Sequence, residues 1–163
     1  MSNFDRGNSF ELEILKIAKK IMICFRPKIE LSSGDNGIDI WGIYGNYLIL
    51  IQCKIILKVL VRTSVVASLE SILSACPPNT LSVAVIPFKT NYTKDAFRMA
   101  AISKYNIILT KDNEFYLDMK KAIDNLNNNN TLTNEKDAGG NGLKRDKIER
   151  KAKKLKKIDL FEY

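Results

Sequence analysis

Residues 38–54, IDIWGIYGNYLILIQCK, constrain the fold more than any other stretch of the chain. Two runs rich in Ile, Tyr and Trp flank Gly45-Asn46, a dipeptide suited to the two-residue turns that join antiparallel strands. The pattern predicts strands over Ile38–Tyr44 and Tyr47–Lys54. Tyr44 then faces Tyr47, and the numbers of paired residues add to 91. In that register Asp39 lies opposite Gln52, with Cβ atoms about 4.5–5.5 Å apart. Lys54, two residues further on, shares the face and stands diagonal to Asp39. Trp41 and Leu50 lie deeper on the same face, while Ile38, Ile40, Ile51 and Cys53 line the other.

The flanking segments read as alternating helices and strands. Asn8 or Ser9 can cap a first helix reaching Ile23, with Glu11 and Glu13 in the first turn, where the helix dipole favours anions. Phe10, Ile14, Ala18 and Ile21 fall on one face of it. Pro27 closes this helix, and Lys28–Leu31 is a short strand. A helix over Ser64–Ala75 is stopped by Pro77-Pro78, and Leu81–Ile86 is a strand of the buried type. Thr93 caps a helix reaching Lys104, Ile107–Leu109 is a strand, and Glu114–Leu126 is a last helix. This order, α-β-β-β-α-β-α-β-α, predicts an α/β domain with a mixed sheet.

Past Leu126 the composition changes. Residues 127–142 form a linker rich in Asn, Thr and Gly, with too little apolar surface to fold. Residues 143–163 are basic and read as partly helical. Residues 127–163 carry ten basic and six acidic side chains, so they supply half of the chain's formal charge of +8. A solvated charged tail and a nucleic-acid contact both fit such a run. The domain proper is thus residues 1–126.

Several function classes are excluded. The chain has no histidine, which removes Ser-His-Asp and Cys-His catalysis, the HExxH zinc helix and classical zinc fingers. Cys24, Cys53 and Cys76 lack metal-ligand spacing and read as reduced intracellular thiols. Any metal would therefore sit among oxygen ligands, which points to Mg²⁺, with Mn²⁺ as its substitute. No apolar run is long enough to span a bilayer. The start, MSNFDRGNSFELE, is neither a secretory signal nor a good transit peptide. The expected compartment is intracellular, the nucleus or mitochondrion in a eukaryotic cell. The GIY at 42–44 lacks the YIG half of the nuclease motif it suggests, and DNGID lacks the spacing and closing glutamate of a calcium loop.

An aspartate, a side-chain carbonyl and an ammonium at one end of an apolar hairpin can form a phosphodiesterase site. Asp39 can anchor a divalent cation, and the Gln52 carbonyl or the Cys53 backbone carbonyl can complete one side of its shell. Lys54 cannot coordinate while protonated, so its place is beside the metal; there it can orient or help deprotonate the attacking water and offset phosphate charge. An isolated Asp–Lys pair at a sheet end is more often a structural ion pair. Gln52 opposite the aspartate, and Gly34 and Gly37 in the preceding loop, favour the site.

The segments GDNGIDI and IQCK together resemble the signature of the PD-(D/E)xK nuclease superfamily, in its Mrr-like branch. GNSFE at 7–11 is similar to the first-helix motif whose glutamate faces the site in that family, which implicates Glu11 as a further acid. A first-turn glutamate can equally serve the helix dipole. TNYTKDAFRMA at 90–100 resembles a later family segment. The resemblance covers most of residues 7–126 and implies a restriction-endonuclease-like three-layer core, a central mixed sheet flanked by helices. It also implies DNA as partner, Mg²⁺ held by Asp39, Gln52 and Glu11, and hydrolysis assisted by Lys54. Cutting two strands invites a homodimer. Gln52 stands where much of the superfamily has an acid, and the run after Lys54 is unusually apolar. A relative that binds nucleic acid without cutting it, with an organellar or genome-maintenance role like the similar fungal mitochondrial respiratory-growth proteins, is the alternative. Lys58, Arg62, Lys89 and Lys94 follow strand ends and could meet phosphates.

Overall fold

The computed structural model describes residues 3–26, 37–55 and 60–134. By its internal contacts the chain divides into two units, residues 1–118 and 119–163. In the first unit α1 spans Asn3–Ala18. Phe10, Ile14 and Ala18, at helical spacing, are buried as the periodicity predicts. The helix starts before Asn8, with Asp5 in its first turn, and it ends well short of Ile23. A turn at 19–22 leads instead into β1, Ile23–Phe25.

Tertiary pairing overrides the helical pattern here. Cys24 is buried while Ile23 and Phe25 face outward, and the strand pairs antiparallel with β2, Ile40–Tyr44. Gly42 makes the approach possible: a Cβ there would lie 2.8 Å from the Cβ of Cys24 and 2.7 Å from the Ile23 carbonyl oxygen. The strand expected at Lys28–Leu31 lies outside the described residues.

The hairpin forms as predicted. β2 pairs with β3, Tyr47–Cys53, from Tyr44↔Tyr47 to Ile40↔Ile51, around a turn in which Gly45 has φ +55°. From β3 the chain crosses through α2, Ser64–Ser74, to β5, Thr80–Ile86, parallel to β3. A second crossover, through α3, Lys94–Ile102, reaches β7, Asn106–Lys111, parallel to β5. Parallel neighbours need connections of this length, and helices supply them. The sheet order is β1-β2-β3-β5-β7. The expected central mixed sheet flanked by helices is therefore present.

Both faces of the middle strands are covered. Every residue of β5 and residues 48–52 of β3 are buried, as expected for strands that read as continuous apolar runs. α2 turns Val65, Val66, Leu69, Ile72 and Leu73 inward. Thr93 caps α3 as expected, its side chain accepting the Ala96 N–H at 3.2 Å. The Ser103 hydroxyl, at the end of α3, donates to Glu70 of α2 at 2.6 Å.

Two short strands were not legible beforehand: β4, Leu60–Val61, and β6, Asn91–Tyr92, which pair in parallel as a separate small sheet. The last helix, α4, spans Phe115–Asn134 and continues from the first unit into the second. It runs past Leu126 through the asparagine cluster, where the expected linker begins. Asparagine is a mediocre helix former, but no Gly or Pro intervenes before Gly139. Residues 135–163, with most of the linker and the basic tail, lie outside the described residues. Among the described residues no helix is long and apolar enough to cross a membrane.

Candidate functional site

The site forms where the hairpin ladder ends. The last ladder pair is Ile40↔Ile51, and Asp39 continues the contact in another way. Its N–H donates to the Ile51 carbonyl at 2.9 Å, and its Oδ2 accepts the Cys53 N–H at 2.6 Å. Asp39 thus grips β3 on either side of Gln52, where the register places it, through its backbone N–H on one side and its carboxylate on the other, and not as a further ladder pair. A carboxylate accepting a backbone N–H is held in one orientation more firmly than a solvated one.

Gln52 is 1 % exposed, and its Oε1 has no hydrogen-bond partner among the described residues. Buried side-chain carbonyls are nearly always satisfied, and leaving one unpaired costs on the order of 1–3 kcal/mol. The amide rests against Gly37, whose φ is +76°. A Cβ at Gly37 would lie 2.3 Å from Gln52 Nε2 and 3.6 Å from Lys54 Nζ. Gln52 and Lys54 therefore converge beside one glycine, on one face, as alternation along β3 requires. The Lys54 N–H donates to Val85 O at 2.9 Å, anchoring its backbone to the end of β5.

Glu11 is placed differently from Asp39, Gln52 and Lys54. Its Oε2 accepts from Arg26 Nη2 at 2.5 Å, with both side chains only about a fifth exposed. It is nevertheless close to the others electrostatically. The Cys53 thiol is pushed well above its ordinary range, first by burial, then by the negative charges of Asp39 and Glu11, with Arg26 pulling the other way. One thiol thus feels both carboxylates and the guanidinium.

Two groups beside the expected ones belong to this place. Gly37 was expected only as part of the preceding loop, yet both its φ and the Gln52 amide beside it favour glycine there. Arg26 was missed. Its position just before Pro27 carries no signal in the sequence, because the turn and strand that bring it back to Glu11 are tertiary features. Gly34 and Asp35 of the motif, and Lys58, lie outside the described residues. Arg62, Lys89 and Lys94 are exposed; Lys89 stands over the ring of Phe88 at 5.6 Å.

The donor set suits a hard cation. Asp39 contributes a carboxylate and Gln52 an unpaired, desolvated carbonyl oxygen, which is the kind of ligand Mg²⁺ takes along with water. No group of three or more His, Cys, Asp or Glu residues that could hold a metal ion occurs among the described residues, so the oxygen donors at this place are one carboxylate and one side-chain amide.

No protein-family model and no curated protein matches the chain. The chain is similar to the MspJI restriction endonuclease, solved in complex with a 27-mer oligonucleotide, at 19 % identity and a TM-score of 0.46. The similarity covers 68 % of this chain and 27 % of that one, so the chain spans about a quarter of that protein's length.

Proposed function

We propose that the chain is a metal-dependent DNA endonuclease of the PD-(D/E)xK, Mrr-like type that hydrolyses phosphodiester bonds. The observation that carries this reading is the buried carbonyl of Gln52, without a hydrogen-bond partner among the described residues, beside the oriented carboxylate of Asp39 and the ammonium of Lys54. An unpaired buried acceptor is costly to keep, and a divalent cation would satisfy it. Asp39 and Gln52 would hold Mg²⁺, which when bound supplies Lewis acidity toward phosphate and a more acidic water. Lys54, kept off the metal by its own charge, donates to a non-bridging phosphate oxygen and orients the attacking water. Cutting both strands would bring two copies of the chain together on the duplex.

The test is cleavage of plasmid DNA with and without Mg²⁺. Asp39→Ala and Lys54→Ala should each slow it by about 10²-fold or more, as loss of a metal anchor or of a proton-handling group does. Absence of cleavage, or cleavage undiminished in both variants, defeats the enzyme reading.

A second reading draws on the Glu11–Arg26 pair, which occupies one of the acids. In it the domain grips DNA without cutting. Binding would then need no Mg²⁺ and would fall steeply as salt rises.

A further inference from the structure

The end of β3 is joined through β5 to a second feature at the same end of the sheet. The Lys54 N–H donates to the Val85 carbonyl and the Asp112 N–H to the Ile86 carbonyl, each at 2.9 Å. Consecutive residues of β5 thus tie the end of β3 to the end of β7. The three strands run parallel, so their carboxyl ends lie side by side, the edge on which open α/β sheets bind ligands. Two strand spacings separate Lys54 from Asp112 by about 10 Å along the sheet.

A cavity of about 670 Å³ opens there, between α1 and the turns that follow β5 and β7. Glu13, Phe88, Asp112, Asn113 and Tyr116 line it, together with Lys20. Its size is that of a small-molecule pocket, about 300–1,000 Å³. Phe88 and Tyr116 are 55 % and 40 % exposed, whereas the neighbouring Phe115 is fully buried, so these two rings are not core. Both turns are fixed before any ligand arrives. The Thr90 N–H donates to the Pro87 carbonyl at 2.8 Å and the Glu114 N–H to the Lys111 carbonyl at 3.0 Å. Asp112 Oδ1 accepts the Asn113 N–H at 2.7 Å, which leaves the carboxylate further lone pairs for a ligand.

We propose that this cavity binds an unpaired nucleobase bearing an exocyclic amino group, on the strand whose phosphodiester lies at Asp39, Gln52 and Lys54. The inference rests on the nuclease reading above for the choice of nucleic acid as partner. Aromatic side chains offer stacking surface to any base. The carboxylates of Glu13 and Asp112 repel a phosphate, so the base and not the backbone enters. Ionised carboxylates only accept hydrogen bonds, and Asn113 can donate or accept. That set suits the amino group and ring nitrogen of cytosine, whose N4 amine is a natural donor to a carboxylate. Thymine instead sets a carbonyl on each side of its single N–H. Lys20, and Lys89 over the Phe88 ring at 5.6 Å, supply ammonium groups for the flanking phosphates.

The experiment measures fluorescence anisotropy of labelled oligo-dC and oligo-dT of equal, short length with the full chain, at neutral pH and in EDTA so that no strand is cut. Oligo-dC should bind at least about fivefold tighter than oligo-dT. Asp112→Asn keeps an acceptor for the Asn113 N–H and should bring the dC-to-dT ratio close to one. Phe88→Ala, at an exposed position, should weaken both oligonucleotides by about tenfold. Equal binding of the two by the wild type, a preference unchanged in Asp112→Asn, or undiminished affinity in Phe88→Ala overturns the proposal. So does a protein that binds duplex and neither single strand. Asp39→Ala should retain the wild-type preference, since the cavity needs no metal. The two readings therefore fail separately. Absent cleavage with the Asp112-dependent preference intact defeats the nuclease alone, and Mg²⁺-dependent cleavage with equal dC and dT binding defeats the base pocket alone.

Discussion

Gly37 and Gln52 pack closely: a Cβ at position 37 would stand 2.3 Å from the Gln52 amide nitrogen, so that side chain would have to shift, on a backbone at φ +76° that side chains rarely adopt. Gly37→Ala should therefore destabilise the domain by about 1–3 kcal/mol, from strained φ and displaced Gln52 together. Urea unfolding checks this. A variant as stable as the wild type would mean that the loop relaxes freely.

Gln52→Met should have the opposite effect on stability. Removing a buried carbonyl that has no partner among the described residues, in favour of an apolar side chain of similar length, should add about 1 kcal/mol to the unfolding free energy. The same variant should lose any rise in melting temperature caused by Mg²⁺. Stability gained together with cation response lost is the signature of a group kept for binding. A clear loss of stability would show that the carbonyl is satisfied in solution.

Tyr92 carries a buried hydroxyl that donates to the Ala84 carbonyl at 2.8 Å, with the Thr110 carbonyl at 3.3 Å. It ties the small sheet, through β6, to β5 and β7. Tyr92→Phe should cost about 1–2 kcal/mol, since buried carbonyls then lose their donor. Thermal and urea denaturation should agree on the size of the loss, and no change in either would remove the hydroxyl from the account of the fold.

Alkaline pH should weaken the fold through Cys53. Burial and two nearby carboxylates raise the folded thiol above its ordinary 9.0. The folded protein thus keeps a proton that the unfolded chain releases, and stability present below pH 9 is lost as pH rises beyond it. Cys53→Ala should flatten that decline above pH 9 while leaving the slope at lower pH unchanged. The native thiol should also resist alkylation at neutral pH and react on unfolding. An equal alkaline slope in the variant would assign the loss to other groups.

Much of the hairpin was legible because its information is local. Alternation, a Gly-Asn turn and the fixed period of a strand set which residues pair, and the ladder from Tyr44↔Tyr47 to Ile40↔Ile51 follows that arithmetic. α2, α3, β5 and β7 were likewise readable to within a few residues, from apolar periodicity and a threonine cap. The segment 19–25 was not. Its residues continue an apolar pattern compatible with a helix, and only the presence of β2, with Gly42 open to Cys24, makes a strand the better solution. The end of α4 was misplaced for the converse reason: polar composition suggested a linker, but polar residues do not by themselves stop a helix, and no Gly or Pro interrupts the run to Asn134.

The sequence by itself determined the hairpin register and the succession α2, β5, α3, β7, α4, and so the convergence of Asp39, Gln52 and Lys54 at one sheet end. These depend on contacts between neighbours along the chain and on the alternation of the strand. Tertiary structure alone decided that Asp39 reaches past the last ladder pair to the Cys53 N–H, that Gln52 is buried against Gly37 with its carbonyl unpaired among the described residues, and that Glu11 is held by Arg26. Each of these joins groups from separate elements, and their energies depend on burial and exact distance, which a linear pattern of residue types does not encode.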